Sequence, residues 1–176
     1  MNKIIIETKR TIIRRYEPTD IPEAFHTFGE PEGAKYISHN GLDKSIADTE
    51  KRIHRYLTHY EKYSYGLWAV IEKASQSVIG VCGLFHARES IPNMELGYRF
   101  RKSHWNKGFA TESAQACLNY GFGVLNGKKI DAIVNPQHQA SIKVLEKIGM
   151  SFEKDFELDS EKLKLFSISQ TSTGIS

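Results

Sequence analysis

The spacing of apolar residues along the chain changes repeatedly between a helical period and the two-residue period of strands. Amphipathic patterns predict two helices in the first third of the chain, one after Pro18 and one over 45–60. Two later patterns predict helices over 108–122 and 140–148, the second ended by Gly149, because a glycine suits the left-handed residue that often follows a helix. The chain is therefore expected to alternate helices with strands.

Short β-branched and apolar runs predict the strands between these helices. Segments 67–72 and 77–84 are separated by a short polar stretch, as in an antiparallel hairpin, and 130–134 is nearly all apolar, as in a strand covered on both faces. Pro31 and Gly33 are predicted to break the early helical region. The remaining predicted strands are 11–15, 94–100, 152–158 and 163–168.

Composition places the chain among ordinary globular proteins, because 40% of its residues are hydrophobic and 26% are charged. We expect a single domain over 1–168 and a flexible Ser- and Thr-rich tail over 169–176. Two cysteines, Cys82 and Cys117, form no motif that predicts a disulfide framework or a zinc site. A net charge of +3 does not favour a dedicated nucleic-acid surface, and the apolar run at the amino terminus is too short for export or membrane anchoring. A cytoplasmic location is expected.

The first candidate for chemistry is the unit formed by strand 94–100, a loop and helix 108–122, followed by strand 130–134. In such a unit the helix amino terminus points outward at the carboxyl edge of the strand, where its free N–H groups bind anions. Gly108 would allow a close approach of the ligand to the backbone, and Lys107 adds positive charge. The alternative is that Gly108 is only a turn residue beside a solvated basic face of Arg99, Arg101, Lys102 and Lys107.

Three segments carry a specific resemblance: Glu-Leu-Gly-Tyr-Arg-Phe over 95–100, Trp-Asn-Lys-Gly-Phe-Ala-Thr-Glu over 105–112, and Ala-Ser-Ile-Lys-Val-Leu-Glu-Lys-Ile-Gly-Met over 140–150. They resemble the GNAT superfamily of N-acetyltransferases, in its RimJ/RimL-like branch, which is named for acetyltransferases of ribosomal-protein N-termini. The opening and closing segments, 7–15 and 165–168, resemble the family as well. The resemblance implies a mixed α/β (α+β) fold with a mostly antiparallel central sheet, helices on both faces and a splay between the two central strands.

The resemblance also implies acetyl-CoA as the donor substrate and no metal. The loop 105–111 would wrap the pyrophosphate, and the backbone of 98–100 would meet the pantetheine arm, with Gly97 permitting a bulge there. His138 stands where similar proteins usually have Asn. The implied set of cofactor-binding residues is Tyr98, Arg99, Phe100, Trp105, Asn106, Lys107, Gly108, Phe109, Ala110, Thr111, His138 and Ser141.

Acetyl transfer requires a neutral amine, so a general base is needed, and the family resemblance favours Glu95, acting through water. Many relatives have a tyrosine at the position of Leu145, which cannot donate a proton, so Ser141 or water must serve the departing thiolate. The alternative interpretations are a surface carboxylate for Glu95, a helix cap for Ser141 and a partly exposed loop residue for His138.

These residues predict an N-acetyltransferase that acts on a primary amine, either a protein N-terminal α-amine or a small-molecule amine. The alternative is a non-catalytic acetyl-CoA sensor. We expect no nucleic-acid or membrane partner and a monomer or homodimer. His54 and His59 lack a zinc-protease motif and are expected to face solvent. Residues that lie in or beside acceptor-groove loops in similar proteins are Tyr36, His39, Tyr63, Tyr65, Trp68, Phe85 and His86.

Overall fold

The computed structural model describes residues 4–37, 41–87 and 92–170. Eight strands form one sheet in the order β1-β2-β3-β4-β5-β6-β8-β7, and every neighbouring pair is antiparallel except β5 and β6. The strands are β1 (Ile4–Glu7), β2 (Thr11–Arg14), β3 (Leu67–Glu72), β4 (Val78–Phe85), β5 (Met94–Phe100), β6 (Lys129–Val134), β7 (Ser151–Leu158) and β8 (Glu161–Ser169).

Five α-helices cover the two faces of this sheet in the described part of the chain. They are α1 (Ile21–Phe28), α2 (Pro31–Ala34), α3 (Ile46–Tyr63), α4 (Phe109–Gly123) and α5 (Gln139–Lys147), with 3-10 turns at Pro18–Asp20 and Lys102–His104. Buried side chains of α1 and Ile53 of α3 pack on one face, and those of α4 and α5 pack on the other together with Tyr60 near the end of α3. The sheet is thus enclosed between two apolar layers, as expected for helices on both faces.

Local chemistry explains where the helices begin and end. Ser45 precedes α3 and its Oγ accepts a hydrogen bond from the Asp48 backbone N–H at 3.2 Å. Gly149 follows α5 with a φ of +86°, which confirms its predicted role at the helix end. No helix within the described ranges has the length and apolar character needed to span a membrane.

Strands β5 and β6 part almost as soon as they meet. Among the described residues they pair only through Met94 with Ile130 and Glu95 with Asp131. Beyond that point β5 continues to Phe100, paired with β4 on one side, while β6 continues to Val134, paired with β8. This opening is the expected splay, and the mixed α/β fold class is confirmed. The expected bulge at Gly97 is wrong, because the β4–β5 register is continuous from Gly80–Phe100 to Phe85–Glu95.

Most predicted elements lie within two residues of the observed ones, with three clear differences. Ile4–Glu7 forms a strand that was not predicted, and Pro31 begins the short helix α2, because proline is well suited to a first helical position. Helix α3 extends to Tyr63, three residues beyond the predicted end. Cys82 and Cys117 are free, buried thiols on β4 and α4, with their Sγ atoms 3.5 Å apart.

Candidate active site

The loop between β5 and α4 turns sharply before the helix begins. Asn106 and Gly108 both have left-handed backbone conformations, with φ of +59° and +81°. The Glu112 N–H donates to the Gly108 carbonyl at 3.0 Å, which closes the first turn of α4. The N–H groups of Phe109, Ala110 and Thr111 consequently have no acceptor inside the helix, and the positive end of the helix dipole lies beside them. This arrangement suits an anion such as a pyrophosphate.

Arg10, in the turn between β1 and β2, braces this loop. Its Nη1 donates to the Lys107 carbonyl at 2.8 Å, and its guanidinium carbon lies 4.3 Å from the centre of the Phe109 ring. Its Nε donates to Glu112 Oε2 at 2.7 Å, while its backbone N–H and the Thr8 hydroxyl donate to Oε1. Partial burial opposes ionisation, yet these hydrogen bonds and the Arg10 charge lower the pKa of Glu112.

The basic residues around the loop are not the uniform solvated face that was one alternative. Arg101 is paired with Glu23, and Lys102 is paired with Glu32 at 2.6 Å. Lys107 is exposed in the loop itself, where its charge can reach an anion bound to the helix amino terminus.

Arg99, predicted as a cofactor-binding residue, directs its side chain away from the loop. Residues alternate in direction along β5, and Leu96 and Phe100 pack in the α4 layer, so Arg99 points to the α1 side. Its guanidinium is buried and donates to the carbonyls of Phe28, Glu30 and Gly41. Burial, together with the nearby Arg52 charge, lowers the pKa of Arg99 to about 10. Its backbone groups face β4, because Arg99 pairs with Val81 and the Arg101 N–H two residues on donates to the Ile79 carbonyl.

Two contacts cross from α5 to other parts of the site. The Tyr98 hydroxyl lies 3.0 Å from Ser141 Oγ and donates to the Ser141 carbonyl at 3.1 Å, so it joins β5 to the first turn of α5. Burial raises the pKa of Tyr98, which keeps its proton in place. One turn earlier the His138 ring stacks on Tyr36, with centroids 4.6 Å apart. The alternative that Ser141 caps α5 is wrong, because His138 occupies the cap position.

Glu95 lies where the splay begins. It is 4% exposed, so the alternative of a surface carboxylate is wrong. Glu95 pairs with Asp131 on β6, which is 3% exposed. Asp131 Oδ2 accepts a hydrogen bond from Asn93 Nδ2 at 2.8 Å. Two buried carboxylates therefore stand side by side at the closed end of the opening.

Other predicted site residues occupy less direct positions. Trp105 is 38% exposed and its Nε1 donates to the Phe100 carbonyl at 2.7 Å, while Phe109 and Leu145 are buried in the core. Asn106 and Lys107 are exposed in the loop, and Ala110 and Thr111 are half-buried in the first turn of α4. Leu145 cannot reach solvent or donate a proton.

Among the described residues predicted to lie in or beside acceptor-groove loops, Trp68 is buried and the others are half-buried. Trp68 is fully buried between Tyr60 and Tyr120, so its assignment to a groove is wrong. Phe85 is half-buried beside Glu95, and Tyr36 stacks on His138. Tyr63, Tyr65 and His86 cluster around His59. His39 lies outside the described residues.

His59 was expected to face solvent, but it is half-buried. Its Nδ1 bonds to the Tyr65 carbonyl at 3.0 Å, and its Nε2 accepts from the His86 backbone N–H at 3.1 Å. His54 is exposed. In the described part of the chain no group of His, Cys, Asp or Glu side chains is arranged to hold a metal ion.

Sequence reasoning missed Arg10 and Asp131. Arg10 is remote from the loop in sequence, and no local signal links the two. Asp131 did carry a signal, since a single acid in an otherwise apolar strand covered on both faces must have a buried carboxylate.

Comparison with known proteins agrees with this geometry. Residues 10–151 match the model of the acetyltransferase (GNAT) domain family. The chain is 34% identical to YkkB of Bacillus subtilis over 154 residues, which are 86% of this chain and 88% of the relative. It is 31% identical to the N-acetyltransferase p20 of Bacillus licheniformis over 158 residues, which are 89% of this chain and 87% of the relative.

Solved structures show the same fold. A GNAT-family acetyltransferase from Bacillus anthracis aligns with a TM-score of 0.81 at 26% identity, over 93% of this chain and 97% of the other. RimL, a ribosomal L7/L12 α-N-protein acetyltransferase in complex with coenzyme A, aligns with a TM-score of 0.81 at 12% identity, over 95% and 98% of the two chains. The matched domain and the curated relatives agree, and the chain belongs to the GNAT family of acetyl-CoA-dependent N-acetyltransferases.

Proposed function

We propose that this enzyme acetylates either a protein N-terminal α-amine or a small-molecule primary amine, with Glu95 as the general base. The observation that carries the proposal is the position of buried Glu95 at the closed end of the β5–β6 opening. The other end of β5 leads into the loop and the free amides at the start of α4. One extended donor molecule could thus span from the helix amino terminus to the carboxylate.

In this proposal the pyrophosphate of acetyl-CoA binds the amides of 105–111. The pantetheine arm follows the open edge of β5, where the backbone groups of Tyr98 and Phe100 face no partner strand among the described residues. The Phe100 carbonyl on this edge also accepts from Trp105 Nε1. His138 and Ser141, at the start of α5, approach the same arm from the β6 side. Imidazole offers one donor and one acceptor, as the usual asparagine amide does, so the substitution keeps a polar contact possible.

The chemical step balances with these groups. The neutral amine nitrogen forms a bond to the thioester carbonyl carbon, and Glu95 takes the proton from that nitrogen through a water molecule. The C–S bond then breaks, and the thiolate receives a proton from water or from the Ser141 hydroxyl. Ser141 Oγ lies 3.0 Å from the Tyr98 hydroxyl, in a contact where either hydroxyl can donate, and the raised pKa of Tyr98 keeps its own proton in place.

Assignment to the RimJ/RimL-like branch belongs to the proposal too. Its support is the three motifs over 95–100, 105–112 and 140–150, whereas the structural likeness to RimL extends to the fold alone. An α-amine acceptor suits a single carboxylate base, because its pKa of about 7.7 to 8.0 leaves it partly neutral near physiological pH.

The test is a screen of amines coupled to release of free coenzyme A thiol, comparing the wild type with Glu95→Gln and with the exposed control Glu146→Gln. Thiol reagents suit this protein, because Cys82 and Cys117 are buried and burial raises the pKa of Cys117. We expect Glu95→Gln to lower kcat by about 100- to 10,000-fold and the control to retain full activity. If the acceptor is an α-amine, raising the pH should restore much of the lost rate.

Two results would contradict the proposal. A Glu95→Gln enzyme with the wild-type rate from about pH 6 to 9 would remove Glu95 as the base. Tight binding of acetyl-CoA without thiol release from any acceptor would favour the non-catalytic sensor.

A further inference from the structure

Asp131 is a buried acid that the proposed chemical step does not use. Ile130 and Ala132 pack in the α4 layer, so Asp131 between them points to the opposite face of the sheet. Glu95 points to that face as well, because it alternates with Leu96 and pairs directly with Asp131. Asn93, two residues before Glu95, reaches the same face and holds one oxygen of Asp131.

The second oxygen of Asp131 is incompletely satisfied. Asp131 Oδ1 is inaccessible to solvent and accepts no hydrogen bond within the described residues. Lys129 Nζ lies 4.0 Å from this oxygen, beyond hydrogen-bond distance, and that ammonium already donates to Glu153 at 2.6 Å. A buried carboxylate oxygen without a donor is costly, so a bound donor at this point would be favourable.

Apolar surface lies beside the carboxylates. Phe85 of β4 pairs with Glu95 of β5. Its ring lies next to Gly97, where an added Cβ atom would be 2.8 Å from Phe85 Cε1. The nearest side-chain atoms to the space that a Gly97 side chain would fill belong to Phe85 and Leu67. An ammonium near Asp131 could therefore place its hydrocarbon part against Phe85.

We propose that Asp131 is a positioning residue that binds the acceptor ammonium and restricts acceptors to primary amines without a carboxylate on the carbon bearing the amine. The inference rests on the proposed function, because it assumes that the acceptor approaches Glu95. An alkylamine or a peptide N-terminus brings only a cation to Asp131. A free amino acid brings its own carboxylate within a few bonds of the amine, and that charge is repelled by Asp131.

The same charge assists the reaction. The bound ammonium first releases one proton to water, which leaves the neutral amine. When that amine attacks the thioester carbonyl carbon, positive charge develops on nitrogen until Glu95, through water, removes the second proton. A fixed, buried carboxylate stabilises that charge without reorganisation. Glu95 moves the proton, whereas Asp131 holds the nitrogen.

The experiment compares alaninamide with alanine as acceptors for the wild type, Asp131→Asn and the control Asp155→Asn, whose side chain is 75% exposed on β7. The substitution Asp131→Asn keeps an oxygen that can accept from the Asn93 amide, and it replaces the other oxygen with an uncharged NH2 group. We expect Asp131→Asn to lower kcat/KM for alaninamide by about 10- to 100-fold, chiefly by raising KM. The change in kcat/KM for alanine should be much smaller. The two acceptors differ in amine pKa, but this difference is the same for all three enzymes.

An alaninamide-to-alanine preference that Asp131→Asn leaves unchanged would overturn the inference while the proposed function stands. If the wild type acetylates no acceptor, the proposed function fails, and propylammonium titrated into the coenzyme A-saturated protein tests Asp131 alone. Binding that is lost in Asp131→Asn supports the inference, and binding that is absent or unchanged overturns it. Should Asp131→Asn not fold, Asn93→Ala tests the same carboxylate by releasing its orientation, and an unaltered KM for alaninamide would count against the role.

Discussion

Arg10 Nε and Glu112 Oε2 meet at 2.7 Å although the two residues are 102 positions apart in sequence. This pair ties the β1–β2 turn to the first turn of α4. Because Arg10 also holds the Lys107 carbonyl, the loop proposed to bind pyrophosphate is fixed from outside its own segment.

Glu112→Gln should destabilise the protein by about 1 to 2 kcal/mol, since it weakens hydrogen bonds from Thr8 and from both the backbone and side chain of Arg10. The pKa of Glu112 is lowered by folding, so its contribution is complete above the ordinary glutamate pKa of about 4.3 and is lost as the pH falls below it. Chemical denaturation at several pH values measures the difference. Glu32→Gln, which removes an exposed ion pair, is the control; an equal effect of the two variants would contradict the bracing role.

Gly108→Val should weaken acetyl-CoA binding. A β-branched residue is strained at a φ of +81°, and its side chain would enter the space beside the α4 amides and Arg10 Nη2. Gly123→Val is the matched control at the other end of α4, where an added side chain meets open space. Calorimetric titration measures the affinity of both folded variants for acetyl-CoA. An unchanged affinity in Gly108→Val would show that the pyrophosphate does not bind at this loop.

Tyr98→Phe and Ser141→Ala should be non-additive in kcat, because the Tyr98 hydroxyl orients Ser141. A double-mutant cycle should give a coupling of about 0.5 to 3 kcal/mol. Tyr120→Phe, which removes another half-buried tyrosine hydroxyl, should leave kcat unchanged. Strictly additive effects of the first two substitutions would show that the two hydroxyls act independently of each other.

His138 should make stability depend on pH. Burial lowers its pKa, so the unfolded chain takes up a proton at a higher pH than the folded protein. The free energy of unfolding should consequently fall as the pH drops below about 6.5, the ordinary histidine value. In His138→Asn this part of the slope should vanish, and denaturation midpoints from pH 7.5 to about 5 measure it. Parallel curves for the two proteins would mean that His138 does not titrate differently in the folded state.

The elements that could be predicted from the sequence are those with a strong periodic signal. Strand β5 was predicted with its observed limits, because Met94–Phe100 is bounded by a clear loop signal. Strand β1 was missed, because three isoleucines before a glutamate are too few to show a period and half of that strand is exposed.

The loop at Gly108 was predicted because its signal is local, with a glycine before an amphipathic helix. The direction of the Arg99 side chain and the contacts of Arg10 were not predicted, because each depends on packing between segments that are distant in the chain. Asp131 illustrates the same limit. Its place beside Glu95 follows from the register of two parallel strands, which no short motif encodes.

The parting of β5 and β6 has a consequence for hydrogen exchange. Backbone N–H groups on the open edges of these two strands lack the ladder partners that slow exchange elsewhere in the sheet. A pantetheine arm lying in the opening would take the place of a strand. Its amides would form hydrogen bonds with backbone groups that β5 and β6 do not offer to each other. The protein should therefore show fast exchange at the centre of the sheet as well as at its outer strands β1 and β7, and donor substrate should slow the exchange at the centre alone.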